Sequence, residues 1–206
     1  MRYVSRQTFA LWTVAFVLFS IVAATGATYS ADFGLVRAFQ RGASESLDAL
    51  GGFFSTIGGW ELTSVFLVLL TGSMAWRGHW RLAAWIVGVF LATALLEYLL
   101  KSYLPVPPIP DSLGRTEGFA PALEIEYGYP YPSGHVLRST ILLGALYLWS
   151  ERRWAGVSSV LLLLGMSLTR IYLGVHWPSD VIGGFLLGAA AVSLVFASPA
   201  KAKEKT

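Results

Sequence analysis

Six apolar runs, each close to the ~20 residues a helix needs to cross a bilayer core, leave this chain few folds to choose from. They lie at roughly 8–29, 58–76, 80–101, 133–150, 154–172 and 178–197. Lipid offers a backbone no hydrogen-bond partner, so runs of this length read as helices. The expected fold is therefore all-α: a polytopic membrane protein, a six-transmembrane-helix bundle forming a single integral-membrane domain over residues 1–206. Charge supports the same reading. Only 13% of residues are charged, against about 25% in soluble domains. The first run follows Arg2 and Arg6 as a signal peptide would, but it lacks a small-residue cleavage site and reads as a retained helix.

The connections differ in kind. Asp32 to Thr56 alternates Phe33, Val36, Phe39, Leu47 and Leu50 with Arg37, Arg41, Glu45 and Asp48. It reads as an interfacial helical segment of one or two amphipathic helices, with an ordinary solvated loop as the alternative. Ser102 to Pro132 carries seven prolines, Pro132 included, and is not helical. The tail at 199–206 reads as short, basic and disordered. Gly184 and Gly188 in the sixth run read as a close-packing pair within the bundle.

Basic residues set the topology. With a cytoplasmic N-terminus, Arg2, Arg6, Arg77, Arg81, Arg152, Arg153, Lys201, Lys203 and Lys205 lie inside. Arg37, Arg41, Lys101, Arg115, Arg138 and Arg170 then lie outside. The excess is inside, as cell-membrane topology requires, and both termini are cytoplasmic. No basic face marks a nucleic-acid partner. With no cysteine, disulfides, thiolate metal sites and cysteine nucleophiles are excluded.

In this topology three chemistry-bearing stretches share the outer, periplasmic or extracellular, side. They are Lys101, then Pro132-Ser133-Gly134-His135, then Thr169-Arg170 with His176 and Asp180. Pro178 favours a first helical turn, which puts His176 just ahead of a helix and Asp180 inside its first turn. A carboxylate on one imidazole nitrogen makes the other a better nucleophile or base. The plainer reading is an interfacial histidine and a carboxylate that stabilises a helix N-terminus. Ser133 is a natural N-cap, Gly134 permits close backbone approach, and the first amides of that helix would face an anion. His135 at that mouth could protonate a leaving oxygen. Arg170 and Lys101 add positive charge for a phosphate, although basic residues at a membrane edge also simply snorkel. Arg138, one turn into an apolar helix, needs an anionic partner: a phosphate or Glu97.

These motifs resemble the type-2 phosphatidic acid phosphatase family, whose members share a fold with vanadium haloperoxidases. The family pattern is Lys, six residues, Arg-Pro; then Pro-Ser-Gly-His; then Ser-Arg, five residues, His, three residues, Asp. Lys101 takes the first lysine, Pro132 to His135 match in full, and Thr169-Arg170, His176 and Asp180 match with Thr for Ser. The family arginine falls on Pro108, and Ile109 replaces the following proline. Arg138 or Arg115 is then the substitute cation, with Arg138 preferred.

The resemblance implies a lipid phosphatase that removes a terminal phosphate from an isoprenoid diphosphate such as undecaprenyl diphosphate, or from phosphatidylglycerophosphate or phosphatidate. His176 would be the nucleophile, forming a phosphohistidine. His135 would be the general acid and base, and Asp180 would orient His176. Lys101, Ser133, Gly134, Arg170 and, by the substitution above, Arg138 would bind the phosphate. No metal, other cofactor or obligate protein partner is implied; the partners are the bilayer and a membrane lipid substrate. Four rivals share some of these residues. They are a two-histidine, one-carboxylate metal hydrolase, a haloperoxidase, a lipid phosphotransferase, and a non-catalytic lipid-binding protein.

Overall fold

The computed structural model describes residues 1–115, 127–150 and 152–197. The tail at 199–206 lies outside the described residues. Eight α-helices run in chain order: α1 Arg6–Ala24, α2 Tyr29–Gln40, α3 Glu45–Gly58, α4 Trp60–Trp76, α5 Trp80–Tyr103, α6 Gly134–Ser150, α7 Arg153–Tyr172 and α8 Pro178–Val195. The long connection holds one 3-10 turn, Asp111–Leu113. Local chemistry sets several boundaries. Ser5 accepts from the Thr8 amide at 3.1 Å and caps α1. Pro178 opens α8, where its missing N–H costs nothing. The first helix ends at Ala24 rather than near residue 29, because Gly26 takes a left-handed φ of 73° and turns the chain.

Four helices, α1, α5, α7 and α8, are long and apolar enough to cross a membrane. A fifth span results if α3 and α4, bent by 50° at Gly59, are counted together. The expectation of six spans is thus met only in part. α4 and α6 have 17 residues each, about 25 Å of helix against a ~30 Å core. The segment between the first two spans is two helices, α2 and α3, as its alternating pattern suggests. Apolar side chains are exposed along the helices, as a lipid-facing surface requires. Val14, Leu18 and Ile21 of α1, Val68 and Leu69 of α4, and Leu161 of α7 all face outward. Exposed Trp76, Trp80 and Trp154 lie at one end of the bundle and exposed Tyr29 and Tyr103 at the other, the two levels at which aromatic rings meet headgroups. This is an integral membrane protein.

α8 is the central helix, packed against α1 and α6. Close packing needs small residues: a Cβ on Gly184 would strike the Ser133 carbonyl, and one on Gly188 would strike Thr140. The segment before α1 meets the C-terminal ends of α6 and α8 at one end of the bundle. Arg2 N–H donates to Leu148 O at 2.8 Å and Val4 N–H to Phe196 O at 3.0 Å. The C-terminal ends of α5 and α7 and the N-terminal ends of α6 and α8 therefore gather at the opposite end, where the three motifs lie.

Candidate active site

The first turn of α8 organises this end. Asp180 is fully buried. Its Oδ2 accepts the Trp177 amide at 2.8 Å and lies 3.3 Å from His176 Nδ1. The carboxylate thus caps its own helix and orients the imidazole with one atom. A proton on Nδ1 leaves the Nε2 lone pair of His176 free. His176 is 6% exposed. Burial, and then the charges of Lys101, Arg170 and Arg138, push its pKa well below the usual imidazole value, so it stays neutral at physiological pH. Asp32 of α2 holds this turn from outside: its Oδ1 accepts the Ser179 amide at 2.9 Å and its Oδ2 the Ser179 hydroxyl at 2.7 Å.

The Pro-Ser-Gly-His segment docks on that turn. Ser133 N–H donates to Asp180 O at 2.9 Å. Ser133 stands in the N-cap position of α6 by its backbone, since Leu137 N–H donates to Ser133 O. Its hydroxyl makes no capping bond; it is buried and has no hydrogen-bond partner among the described residues. Gly134 has a more specific reason to be glycine than ligand approach alone. A Cβ there would land on the Glu97 carboxylate and the Arg138 guanidinium.

Those two side chains form the second half of the site. Glu97 of α5 lies 2.9 Å from Arg138 Nη1 and 3.2 Å from Lys101 Nζ, with all three side chains buried. Arg138 also stacks over the Trp60 ring at 4.2 Å, and Lys101 over Tyr127 at 4.4 Å. One carboxylate serves two cations, so the trio keeps one net positive charge. Leaving any of these charges buried alone costs about 3–5 kcal/mol. The partner that burial demands of Arg138 is thus Glu97. Arg138 Nε still has no bond among the described residues.

Arg115, the other candidate substitute cation, is committed elsewhere. It grips Asp48 with two bonds of 2.9 and 2.6 Å, and Asp48 also accepts from Tyr172 at 2.6 Å. That hydrogen-bonded pairing raises the guanidinium pKa further and ties the loop to α3 and α7.

Arg170, at the end of α7, has no carboxylate partner among the described residues. Its Nη1 donates to the Ser55 hydroxyl of α3, and its Nε is buried without a partner. Ser55 also meets the second histidine: His135 Nε2 lies 3.1 Å from the Ser55 carbonyl. A carbonyl only accepts, so that nitrogen carries the proton. A continuous run of contacts through Glu97, Gly134, Asp180 and Ser55 therefore joins all eight residues singled out from the sequence. Ser55, Asp32 and Trp60 were not anticipated. Ser55 and Asp32 lie in the amphipathic segment and Trp60 at the start of the second apolar run, where residues of these types give no signal of their own.

A model of the PAP2 superfamily matches residues 82–204. An undecaprenyl-diphosphatase of Sulfolobus acidocaldarius is 42% identical over 62 residues, 30% of this chain and 29% of that protein. A lipid A 4'-phosphatase of Bacteroides thetaiotaomicron is 28% identical over 119 residues, 53% of this chain and 52% of that protein. These matches thus span from under a third to about half of the relatives' lengths. The crystal structure of a transmembrane PAP2-type phosphatidylglycerolphosphate phosphatase from Bacillus subtilis superposes with a TM-score of 0.75. It is 23% identical, over 91% of this chain and 94% of that one, a likeness of fold. With a matched region that takes in α5 to α8 and every motif residue described above, this chain belongs to the PAP2 superfamily.

Proposed function

We propose that this protein is a metal-independent lipid phosphate phosphatase working through a phosphohistidine. One observation carries the reading: a buried neutral imidazole, oriented by Asp180, beside a buried hydroxyl and a buried guanidinium nitrogen that have no partner among the described residues. Nε2 of His176 attacks phosphorus as the bond from phosphorus to the leaving oxygen breaks, and His135, as the imidazolium, gives that oxygen its Nε2 proton and is left neutral. His135 then takes a proton from water as it attacks phosphorus, the P–N bond breaks, and inorganic phosphate leaves. Lys101, Arg138, Arg170, the Ser133 hydroxyl and the Gly134 amide stabilise the phosphoryl oxygens, which is most of what this chemistry requires. To act, His135 exchanges its bond to the Ser55 carbonyl for the leaving oxygen.

The substrate is an amphiphile whose tail stays in the bilayer. Relatives named undecaprenyl-diphosphatase, lipid A 4'-phosphatase and phosphatidylglycerophosphatase B support a lipid phosphate or diphosphate. The basic residues support an outward-facing site with both termini cytoplasmic. In this reading α4 and α6 also span, thinning the bilayer locally, which makes six. One integral-membrane domain acts without an obligate protein partner.

The test is phosphate release by purified protein from isoprenoid diphosphates, phosphatidylglycerophosphate, phosphatidate and lipid A, with and without excess chelator. Release from at least one lipid, unchanged by chelator and blocked by orthovanadate, is expected, since vanadate imitates the phosphoryl transition state. Activity lost to chelator and restored by a divalent metal would replace this reading with the metal hydrolase.

A further inference from the structure

Glu97 is a carboxylate between two of the site's cations, with no place in the chemistry above. It is 2% exposed, in an apolar helix, where an ionised side chain is expensive. Its two oxygens are divided between helices: Oε1 lies on Lys101 of its own α5, and Oε2 on Arg138 of α6. Its position is fixed from a third side by the bare backbone of Gly134, which leaves no room for a Cβ. Trp60 of α4 closes the far face of Arg138. The guanidinium is thereby held against the first residue of α6, between Ser133 and His135, with Nε left over.

A carboxylate placed only to neutralise one cation would leave a balanced pair. This one leaves a trio with one net positive charge, at the spot where the first amides of α6 are also unsatisfied. Resting on the phosphatase reading, we infer that Glu97 is a positioning residue. It clamps Lys101 and Arg138 into one cationic ledge beside Gly134, and phosphoryl oxygens sit on that ledge. Glu97 touches no substrate. It fixes the direction of two donors, so that the site is preorganised before the ligand arrives.

A cycle of Glu97→Gln, Arg138→Met and the double variant tests this, using the full chain in detergent. Turnover, orthovanadate affinity and Tm are all measured. Glu97→Gln leaves two buried cations facing a neutral amide; it should lower Tm and weaken vanadate binding about tenfold. Arg138→Met should lower kcat/KM by about 10²–10³-fold, the size of losing one transition-state donor. The double variant removes one charge of each sign but leaves Lys101 without its carboxylate. Tm should rise above that of Glu97→Gln yet stay below wild type, while kcat/KM and vanadate affinity stay at the Arg138→Met level. A double variant that regains both stability and most activity would show that the trio only supports the bundle, and would overturn the inference. So would Glu97→Gln with unchanged vanadate affinity. The parent reading fails separately: if His176→Ala retains activity, the covalent mechanism is wrong whatever the cycle shows. If the wild-type protein neither hydrolyses any lipid phosphate nor binds vanadate, both readings fall.

Discussion

The site has two halves that place their charges in different ways. In the α7–α8 half, Arg170, His176 and Asp180 come from one short stretch, and Arg170 has no carboxylate among the described residues. In the α5–α6 half, Lys101 and Arg138 come from separate helices and share Glu97. Asp180 works twice, on a backbone amide and on an imidazole; Glu97 works twice, on two cations. The lesson is that a buried carboxylate can serve to aim its neighbours as much as to neutralise them. A half whose cation lacks a carboxylate is held by hydroxyl and backbone contacts, and a half with two cations needs an anion to keep them from repelling one another.

The largest expected effect falls on the first half. His176→Ala should lower kcat by at least about 10⁴-fold in steady-state phosphate release, because no neighbour can replace a nucleophile. Activity within tenfold of wild type would remove the basis for treating the α7–α8 half as the reacting one. The second half is probed by contrast. Arg138→Ala should cost about 10²–10³-fold in kcat/KM, while Arg115→Ala, which breaks a partly exposed pair with Asp48, should cost less than about threefold. Equal losses would mean that burial beside Gly134 confers no advantage on Arg138.

How far these halves could be read from the sequence follows from distance along the chain. His176 and Asp180 sit one helical turn apart, so Pro178 and the spacing suffice to pair them. Glu97 and Arg138 are 41 residues apart. Only the cost of burying Arg138 in an apolar helix pointed to that pair, with phosphate as an equal candidate. Contacts over longer separations gave no sign. Ser55 reaches Arg170 across 115 residues, and Asp32 reaches Ser179 across 147. Both lie in the amphipathic segment, where serine and aspartate are ordinary surface residues and pattern alone does not say what a helix covers. The same limit applies to the spans. Apolar runs located six of the helices and the alternating segment suggested α2 and α3, but Gly26 shortened the first, and α4 and α6 fall short of the length expected.

Smaller effects sharpen the comparison. Ser55→Ala removes the hydroxyl from Arg170 while keeping the backbone carbonyl that holds His135. It should change KM by about three- to tenfold with kcat little altered, because Arg170 then loses its only tether on α3. A fall in kcat alone would mean instead that Ser55 acts on the chemical step. The smallest expected change is with pH. The pKa of His176 is depressed, so its neutral form persists below the usual imidazole range and protonation begins only as pH falls through that lower value. Relative to the unfolded chain, the depressed pKa adds stability that is fully present above about pH 6.5 and is lost on further acidification. Between pH 7.5 and 6.5, kcat/KM should therefore change less than about twofold from this group. A tenfold fall across that unit would show that His176 is charged there, and that burial and the three cations do not act on it as described.

The central claim is that His176 carries the phosphoryl group. The most direct measurement mixes the purified protein with undecaprenyl diphosphate labelled in its terminal phosphate, quenches in base within milliseconds, and maps the label by mass spectrometry. An alkali-stable, acid-labile phosphoryl group on the peptide containing His176, absent from His176→Ala, is the predicted result. Steady hydrolysis with no covalent label, or a label on His135, would contradict it.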